Sequence, residues 1–411
     1  MLPIVCRSCG SSELEPVLSL GETPLANSLL TDTMLDRPEP RYPLELVFCA
    51  ECTLVQITLS VPPEDMFEEY AYFSSFADAV VENARVISTR LIAERKLGAD
   101  DLAMEIASND GYLLRNYDAA GIPVLGVDPA RNIAAVAEEH EVPTVCAFFG
   151  SELAARLRSE GRRASVLHAN NVLAHVPDVN GVVAGIATIL ADDGIAVIET
   201  PYVRDLIDEL EFDTIYHEHL FYYSLHSLSM LFERNGLEIV DVEHLPIHGG
   251  TLRVLAARSG AAAATPAVDA LREAERAAGM TTIGYYQDFA ARVDDLCSRL
   301  RSLLASLKAD GSTIAGYGAA AKGATLCNYA GIGTETIDFV VDRNVHKQGR
   351  FMPGVRLPIS DPSALLERRP DYLLLLAWNF ADEIMDQQRA YAAGGGRFVV
   401  PGPEPRIVAP A

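Results

Sequence analysis

The sequence predicts an α/β protein: a doubly wound, largely parallel sheet, with a small four-cysteine lobe before it and a second α/β unit after it. Three observations carry this expectation. Over residues 101–200, apolar strands alternate with helical stretches, and strand after strand ends in small or polar residues. Two CxxC pairs, CRSC and CAEC, stand near the start of the chain. A strand, a glycine-rich turn and a helix begin again at STIAGYGAAAKGATL, residues 312–326. Both α/β units are therefore expected to be Rossmann-like, with ligands at the carboxyl ends of their strands.

Composition narrows the partners. The 411 residues allow roughly two to four domains. With 33 basic against 57 acidic residues the net charge is −24, which repels a nucleic-acid backbone. No charged-then-apolar leader opens the chain and no apolar run is long enough for a bilayer. The expectation is a cytoplasmic protein without nucleic-acid or membrane partners, acting as a monomer.

The first lobe is expected over residues 1–68. Cys6, Cys9, Cys49 and Cys52 form two tight-turn pairs, and two such turns can close a tetrahedral zinc site. A redox pair or unrelated cysteines are the alternatives. Four thiolates leave no open position, so a zinc there holds structure and does no chemistry. Cys146, Cys297 and Cys327 are expected to be reduced core residues.

The second unit is expected over residues 69–258. YAYFSS puts Tyr70 and Tyr72 on one side of an extended segment ahead of a long helical pattern, ADAVVENARVISTRLIAERKL. MEIASNDGYLL follows as strand, turn and helix, and GVDPA ends a second strand at Asp128. Acidic strand end, small-residue turn, acidic strand end is the layout of a Rossmann-like S-adenosylmethionine domain. Glu105, Ala107, Asn109, Gly111, Asp128 and Pro129 are its candidate cofactor contacts. Ala107 stands where a glycine is expected, while Gly111 is kept. A nicotinamide turn is the rival, but GxGxxG is absent. In HANNVLAHVPD, Asn170 and Asn171 end a strand beside the same site and His175 follows.

DTIYHEHLFYYS, residues 213–224, is dense in proton-moving groups. HEH lacks the HExxH spacing of a catalytic zinc helix. A metal held with His168 or His175 remains an alternative to acid/base work by a histidine beside a carboxylate. Residues 259–310 look like an Ala-rich connecting segment followed by a long amphipathic helix. Over residues 311–411 the second α/β unit places Lys322 in the first turn of a helix, and Asp342, Arg343, Lys347 and Arg350 follow a strand. Helix N-terminus plus lysine suits a diphosphate, with a solvated basic loop as the alternative.

Taken in order, CxxC…CxxC, YxYFSS, ExxSNDG, NNVLAHVPD, FDTIYHEHLFYYS, HGGTLR and GYGAAAKG…DRNxxKxGRxxPG resemble the nucleotide-sugar C-methyltransferases. The resemblance spans nearly the whole chain. It implies a structural zinc lobe, a central S-adenosylmethionine domain, and a C-terminal domain that helps hold a dTDP-linked 4-keto-deoxysugar. It implies methylation α to the ketone, at C3 ahead of C5, in branched deoxysugar biosynthesis. It makes His219 the base and gives Tyr216, Glu218, His175 and Tyr70 supporting roles: Tyr216, His175 or Tyr70 donating to an enolate oxygen, Glu218 orienting a histidine. It puts Tyr72 and Ser74 near the methyl donor, and Tyr222, His248, Lys322, Arg343 and Lys347 on the substrate side. An O- or N-methyltransferase, a non-catalytic sugar-nucleotide-binding protein and a metal-dependent hydrolase at HEH are the competing readings.

Overall fold

The computed structural model describes residues 4–62, 75, 78–247 and 249–408. Tyr70, Tyr72, Ser74 and His248 lie outside the described residues.

The chain begins with a four-stranded antiparallel sheet. Strands β1 (Leu14–Thr23), β2 (Tyr42–Cys49) and β3 (Val55–Ile57) are sequential. In β2, Leu44, Leu46 and Phe48 turn inward while Glu45 stays exposed, the alternation of a half-buried strand. The fourth strand is β9 (Phe221–Tyr222), from the far end of DTIYHEHLFYYS, which pairs Tyr222 with Val55 and Phe221 with Gln56. The cysteine lobe is thus not a free-standing knuckle. Its sheet is completed by the segment that carries the histidines.

The central sheet has seven strands in the order β10-β11-β8-β7-β4-β5-β6. Five run parallel: β4 (Ala103–Ile106), β5 (Val124–Val127), β6 (Thr144–Val145), β7 (Ala164–Asn170) and β8 (Leu190–Pro201). β4 and β5 are buried along their whole length, because helices cover both faces of a parallel sheet. The antiparallel pair β10 (Leu237–Leu245) and β11 (Thr251–Arg258) extends the edge. Chain order reverses between β4 and β7, so the crevice at their carboxyl ends is where a doubly wound sheet takes a ligand.

Helix α1 (Asp78–Arg95) is tied to this sheet by a buried polar network. Arg253 on β11 bonds Glu199 on β8 at 2.7 Å, Glu243 at 2.9 Å, and the Asn83 amide oxygen on α1 at 2.6 Å. Asn83 in turn donates to Glu199. Helices α2 (Arg131–Glu139), α3 (Ser151–Ser159) and α4 (Val179–Ile189) complete the layers, and α5 (Leu225–Arg234) starts at Ser224 with a capping box to Ser227.

The stretch expected to be a connector packs on its neighbours through a few buried residues. Within it, α6 (Pro266–Ala277) packs on α5, and its fully buried Glu275 accepts hydrogen bonds from the Leu225 and His226 amides at 2.7 and 2.9 Å. A carboxylate from one helix satisfies the free N–H groups at the start of another. Alanine-rich composition hid this, because the contact depends on one residue and a partner fifty positions away. Helix α7 (Phe289–Ala309) buries Phe289, Val293, Leu296, Leu300 and Leu304 as one stripe, as the amphipathic pattern predicts.

A third sheet, order β14-β13-β12-β15-β16-β17, closes the chain. β12 (Ile314–Tyr317), β13 (Val340–Val341), β14 (Ile359–Ser360), β15 (Tyr372–Leu375) and β16 (Arg397–Val400) are parallel, and β17 (Arg406–Val408) is antiparallel. Helix α8 (Ala321–Ala330) follows the glycine turn after β12. One apolar cluster runs from the cysteine lobe through the central sheet to α7 and this third sheet. No described helix is long and apolar enough to cross a membrane.

Candidate active site

The four early cysteines converge. Cys6 and Cys52 sulfurs lie 3.4 Å apart, Cys9 and Cys49 sulfurs 3.6 Å, and all four lie within 4.8 Å of one another. Four thiolates around a zinc at about 2.3 Å would sit about 3.8 Å apart, so the cage fits the ion. Among the described residues this is the one cluster with metal-ligand geometry. The cage is braced on other lobes. Asn180 of α4 donates to the Arg7 and Ser8 carbonyls, and Arg234 of α5 to Ser8. Arg7 itself donates to the Ile57 and Thr58 carbonyls and lies 5.8 Å from the Phe221 ring centre.

At the carboxyl ends of β4 and β5 the turn has unusual backbone. Ala107, Asn109 and Gly111 have φ of 52°, 49° and 78°, in the left-handed region that favours glycine. Ala107 accepts that strain at the position where a glycine is expected. A Cβ on Gly111 would meet Val142 at 2.8 Å, which explains why this glycine is kept. Asp128 accepts hydrogen bonds from the Asn109 and Ala130 amides, at 3.0 and 2.9 Å, and so locks the turn to the second strand. Pro129 lies between Asp128 and Ala130.

Around this turn, buried oxygens of Glu105, Ser108, Asp110 and Asn170 have no hydrogen-bond partner among the described residues. Each would cost about 1–3 kcal/mol if left so. A polar ligand with an amine and a sulfonium suits them, since Glu105, Asp110 and Asp128 make the crevice acidic. Burial and the neighbouring carboxylates push the Glu105 pKa well above its ordinary range, which a cationic ligand would reverse. The acceptors and acidic groups present therefore fit S-adenosylmethionine. Asn171 lies beside them with φ 55°, its amide bonded to the Glu199 carbonyl at 2.8 Å.

The histidine segment is a turn. The His219 amide donates to the Tyr216 carbonyl at 2.8 Å, so side chains 216 and 219 stand together. Their rings are 4.1 Å apart. His219 Nδ1 donates to the Thr214 carbonyl at 3.0 Å. A carbonyl only accepts, so Nδ1 carries the hydrogen and the Nε2 lone pair accepts from the Tyr216 hydroxyl at 2.8 Å. The Leu220 amide donates to Ala174 at 2.7 Å and draws the NNVLAH loop alongside, which sets His175 edge-on to His219 at 4.8 Å. Burial lowers the His219 pKa well below the ordinary imidazole value, and that of His175 to about 4, so both are neutral at physiological pH.

Three of the expected site residues make contacts that spacing did not suggest. The Glu218 carboxylate does not orient a histidine: it turns to the cysteine lobe, where Asn27 Nδ2 donates to its Oε1 at 2.6 Å, and it is the Glu218 backbone carbonyl that accepts from the His175 ring. The residues at the corner of a turn point away from its two ends, and 217 and 218 occupy that corner. His217 follows Glu218, donating to the Pro43 carbonyl at 3.3 Å with its ring edge-on to Tyr42. The two HEH rings thus face different neighbours and make no metal pair, while His168 lies in the core bonded to Tyr117 at 2.8 Å. Tyr222, expected on the substrate side, is enclosed by protein. It is buried in β9 behind His219, its hydroxyl 3.4 Å from the Thr214 carbonyl.

Lys322 is the third. Its ammonium donates to Asn379 at 2.9 Å and lies 4.5 Å from the Trp378 ring centre, beside Asp213 and Glu211. It is not free for a phosphate. Lys347 donates to the Ala319 carbonyl at 2.8 Å, next to Asp342, and Arg343 is exposed near Glu383. The Asp342 carboxylate accepts from the Ala319 amide, repeating in the third sheet the lock that Asp128 makes in the second.

Family models match the chain in three stretches: "Putative zinc binding domain" over residues 6–67, "Methyltransferase domain" over 83–242 and "C-methyltransferase C-terminal domain" over 246–403. The C-methyltransferase NovU of Streptomyces niveus is 39% identical over 404 residues, covering 98% of this chain and 96% of that protein. Among solved structures, a magnesium protoporphyrin IX methyltransferase from Synechocystis PCC 6803 is 15% identical, covering 44% of this chain and 79% of that one, TM-score 0.34. An S-adenosylmethionine-dependent methyltransferase from Clostridium acetobutylicum is 13% identical, covering 44% and 92%, TM-score 0.36.

Proposed function

The chain belongs to the C-methyltransferase family, and from that premise we propose that it methylates the carbon α to the ketone of a dTDP-linked 4-keto-deoxysugar, at C3 or C5. The observation that carries this reading is the His219–Tyr216 pair: a neutral imidazole pinned at Nδ1 by the Thr214 carbonyl, with its Nε2 lone pair on the Tyr216 hydroxyl.

A carbon beside a ketone is a weak acid, so its proton needs a placed base and the enolate oxygen needs a donor. The pair supplies both. With the ketone bound, the Tyr216 O–H turns from Nε2 to the C4 oxygen, and Nε2 takes the α-proton. Enolate charge beside His219 stabilises the imidazolium that burial alone disfavours. His175, edge-on to His219, walls the site and adds a second imidazole near the oxygen.

S-adenosylmethionine, when bound, supplies an electrophilic sulfonium methyl. Glu105, Asp110, Asp128, Asn170 and the 107–111 turn would hold it. Tyr70, Tyr72 and Ser74 belong to this reading through the family resemblance. The nucleotide sugar is supported by the same resemblance and by the cations Arg343 and Lys347 after β13.

The test is incubation with a panel of dTDP-4-keto-deoxysugars and S-adenosylmethionine. The expected product carries one added methyl on the carbon next to the ketone. A methyl on oxygen or nitrogen would replace this reading with an O- or N-methyltransferase. Absence of S-adenosylhomocysteine with every acceptor would leave a binding protein.

A further inference from the structure

We infer that Trp378 and Lys322 of the third sheet's unit are positioning residues: through Asp213 they hold the Thr214 carbonyl that fixes the tautomer of His219. The catalytic side of this inference rests on the reading of His219 as the base.

One carbonyl sets the tautomer. Thr214 O takes the hydrogen of His219 Nδ1 at 3.0 Å and faces the Tyr222 hydroxyl at 3.4 Å. If that oxygen moves, the hydrogen can settle on Nε2 instead, and the lone pair facing Tyr216 is gone. The position of Thr214 therefore matters more than that of an ordinary turn residue.

Thr214 sits in a short 3-10 turn, Phe212–Thr214. Within the turn, its amide and its hydroxyl both bond the Glu211 carbonyl, at 3.0 and 2.7 Å. The turn itself is held from the C-terminal unit. Asp213 is 3% exposed, and its Oδ2 accepts from the Trp378 indole N–H at 2.7 Å. Lys322, on the first turn of α8, lies 4.5 Å from the same indole's ring centre and donates to Asn379. Phe212 packs against Tyr329, also on α8, at 5.5 Å between ring centres.

The chemistry of this joint is more specific than packing needs. Burying a carboxylate is costly unless it is paired. Burial pushes the Asp213 carboxyl up to about 6, and the Lys322 charge opposes that shift, so the carboxylate survives near neutral pH. Two apolar surfaces would be cheaper but could slide. An indole N–H on a carboxylate oxygen is directional and admits one register. The cost of the buried pair is offset by a fixed Thr214 carbonyl, and so the docking of the C-terminal unit is built into the state of the base.

Trp378 is the chain's one tryptophan, so its indole N–H and its emission report on this joint alone. The test is nitrogen NMR of full-length protein with 15N-labelled histidine, His219 being assigned by the signal lost in His219→Asn. Wild type should show a protonated Nδ1 and a pyridine-like Nε2. Trp378→Phe keeps an aromatic face for Lys322 but removes the N–H, and should give a mixture of tautomers at His219 with S-adenosylhomocysteine affinity unchanged. A merely structural role would lower the melting temperature and leave the His219 shifts alone. If Trp378→Phe fails to fold, wild type under mild denaturant decides: the indole N–H and the His219 Nδ1–H should become exchangeable together. An unchanged His219 tautomer in folded Trp378→Phe, or loss of the indole N–H with His219 intact, overturns the inference. If the tautomer shifts as expected but His219→Asn keeps turnover, the base assignment falls and the anchor stands.

Discussion

Replacing Tyr216 with phenylalanine removes one hydroxyl and leaves the ring that stacks on His219 at 4.1 Å. At rest that hydroxyl donates to His219 Nε2 at 2.8 Å and with acceptor bound it donates to the neutral ketone, in either state a neutral pair worth about 0.5–1.5 kcal/mol net. In the transition state the same hydroxyl faces enolate charge, where losing one such donor costs about 2.7–4 kcal/mol. The ground state loses about 1 kcal/mol and the transition state about 3, so the barrier rises by about 2–3 kcal/mol. At 1.36 kcal/mol per decade, kcat should fall by about 30–150-fold. The assay is S-adenosylhomocysteine formation at saturating acceptor, with donor affinity measured separately and expected to be unchanged. A fall of less than about five-fold would show that the hydroxyl makes no stronger bond in the transition state than at rest, and would refute the pairing of roles.

Further outcomes follow from other parts of the molecule. Chelating the zinc should strip exchange protection from the amides of Val55–Ile57 and Phe221–Tyr222, because β3 and β9 share the cysteine lobe's sheet, while β4 and β7 stay protected; unchanged protection after zinc loss would separate the lobe from the active segment. The acid limb of kcat/KM, which reports the free enzyme, should lie well below the ordinary imidazole value. A base with a lowered pKa stays unprotonated to lower pH, and activity is lost only as pH falls through that lowered value; a limb near 6.5 would contradict the buried neutral His219. Arg253→Met strands Glu199, which is 2% exposed, and should cost about 3–5 kcal/mol by denaturant midpoint, with much of it recovered by adding Glu199→Leu.

Much of this was legible along the chain. Parallel strands announce themselves as apolar runs, and β4, β5 and β15 are buried along their length as such runs demand. CxxC spacing places thiols whatever surrounds them, and the four sulfurs meet. The left-handed backbone at Ala107 and Gly111 falls where the motif departs from its first glycine and keeps its second. What escaped are contacts that join distant residues: Asn27 with Glu218, Trp378 with Asp213, and two-residue β9 with β3. None has a local period, because each is made by the packing of one lobe on another. Lys322 shows the same limit. A lysine at a helix start reads as a phosphate ligand, until the fold brings two buried acids to it. Tyr216 and His219 had a local signal that spacing alone could have shown, since residues i and i+3 of a turn stand together.

The central claim is that His219 takes the proton from the carbon that receives the methyl. Its most direct test is NMR of the product formed from isotope-labelled S-adenosylmethionine, with wild type and His219→Asn run side by side on a dTDP-4-keto-deoxysugar. The account predicts a labelled methyl bonded to the carbon beside the ketone in wild type, and no methylated product from His219→Asn although it still binds S-adenosylhomocysteine. A methyl on oxygen, or wild-type turnover by the variant, would contradict it.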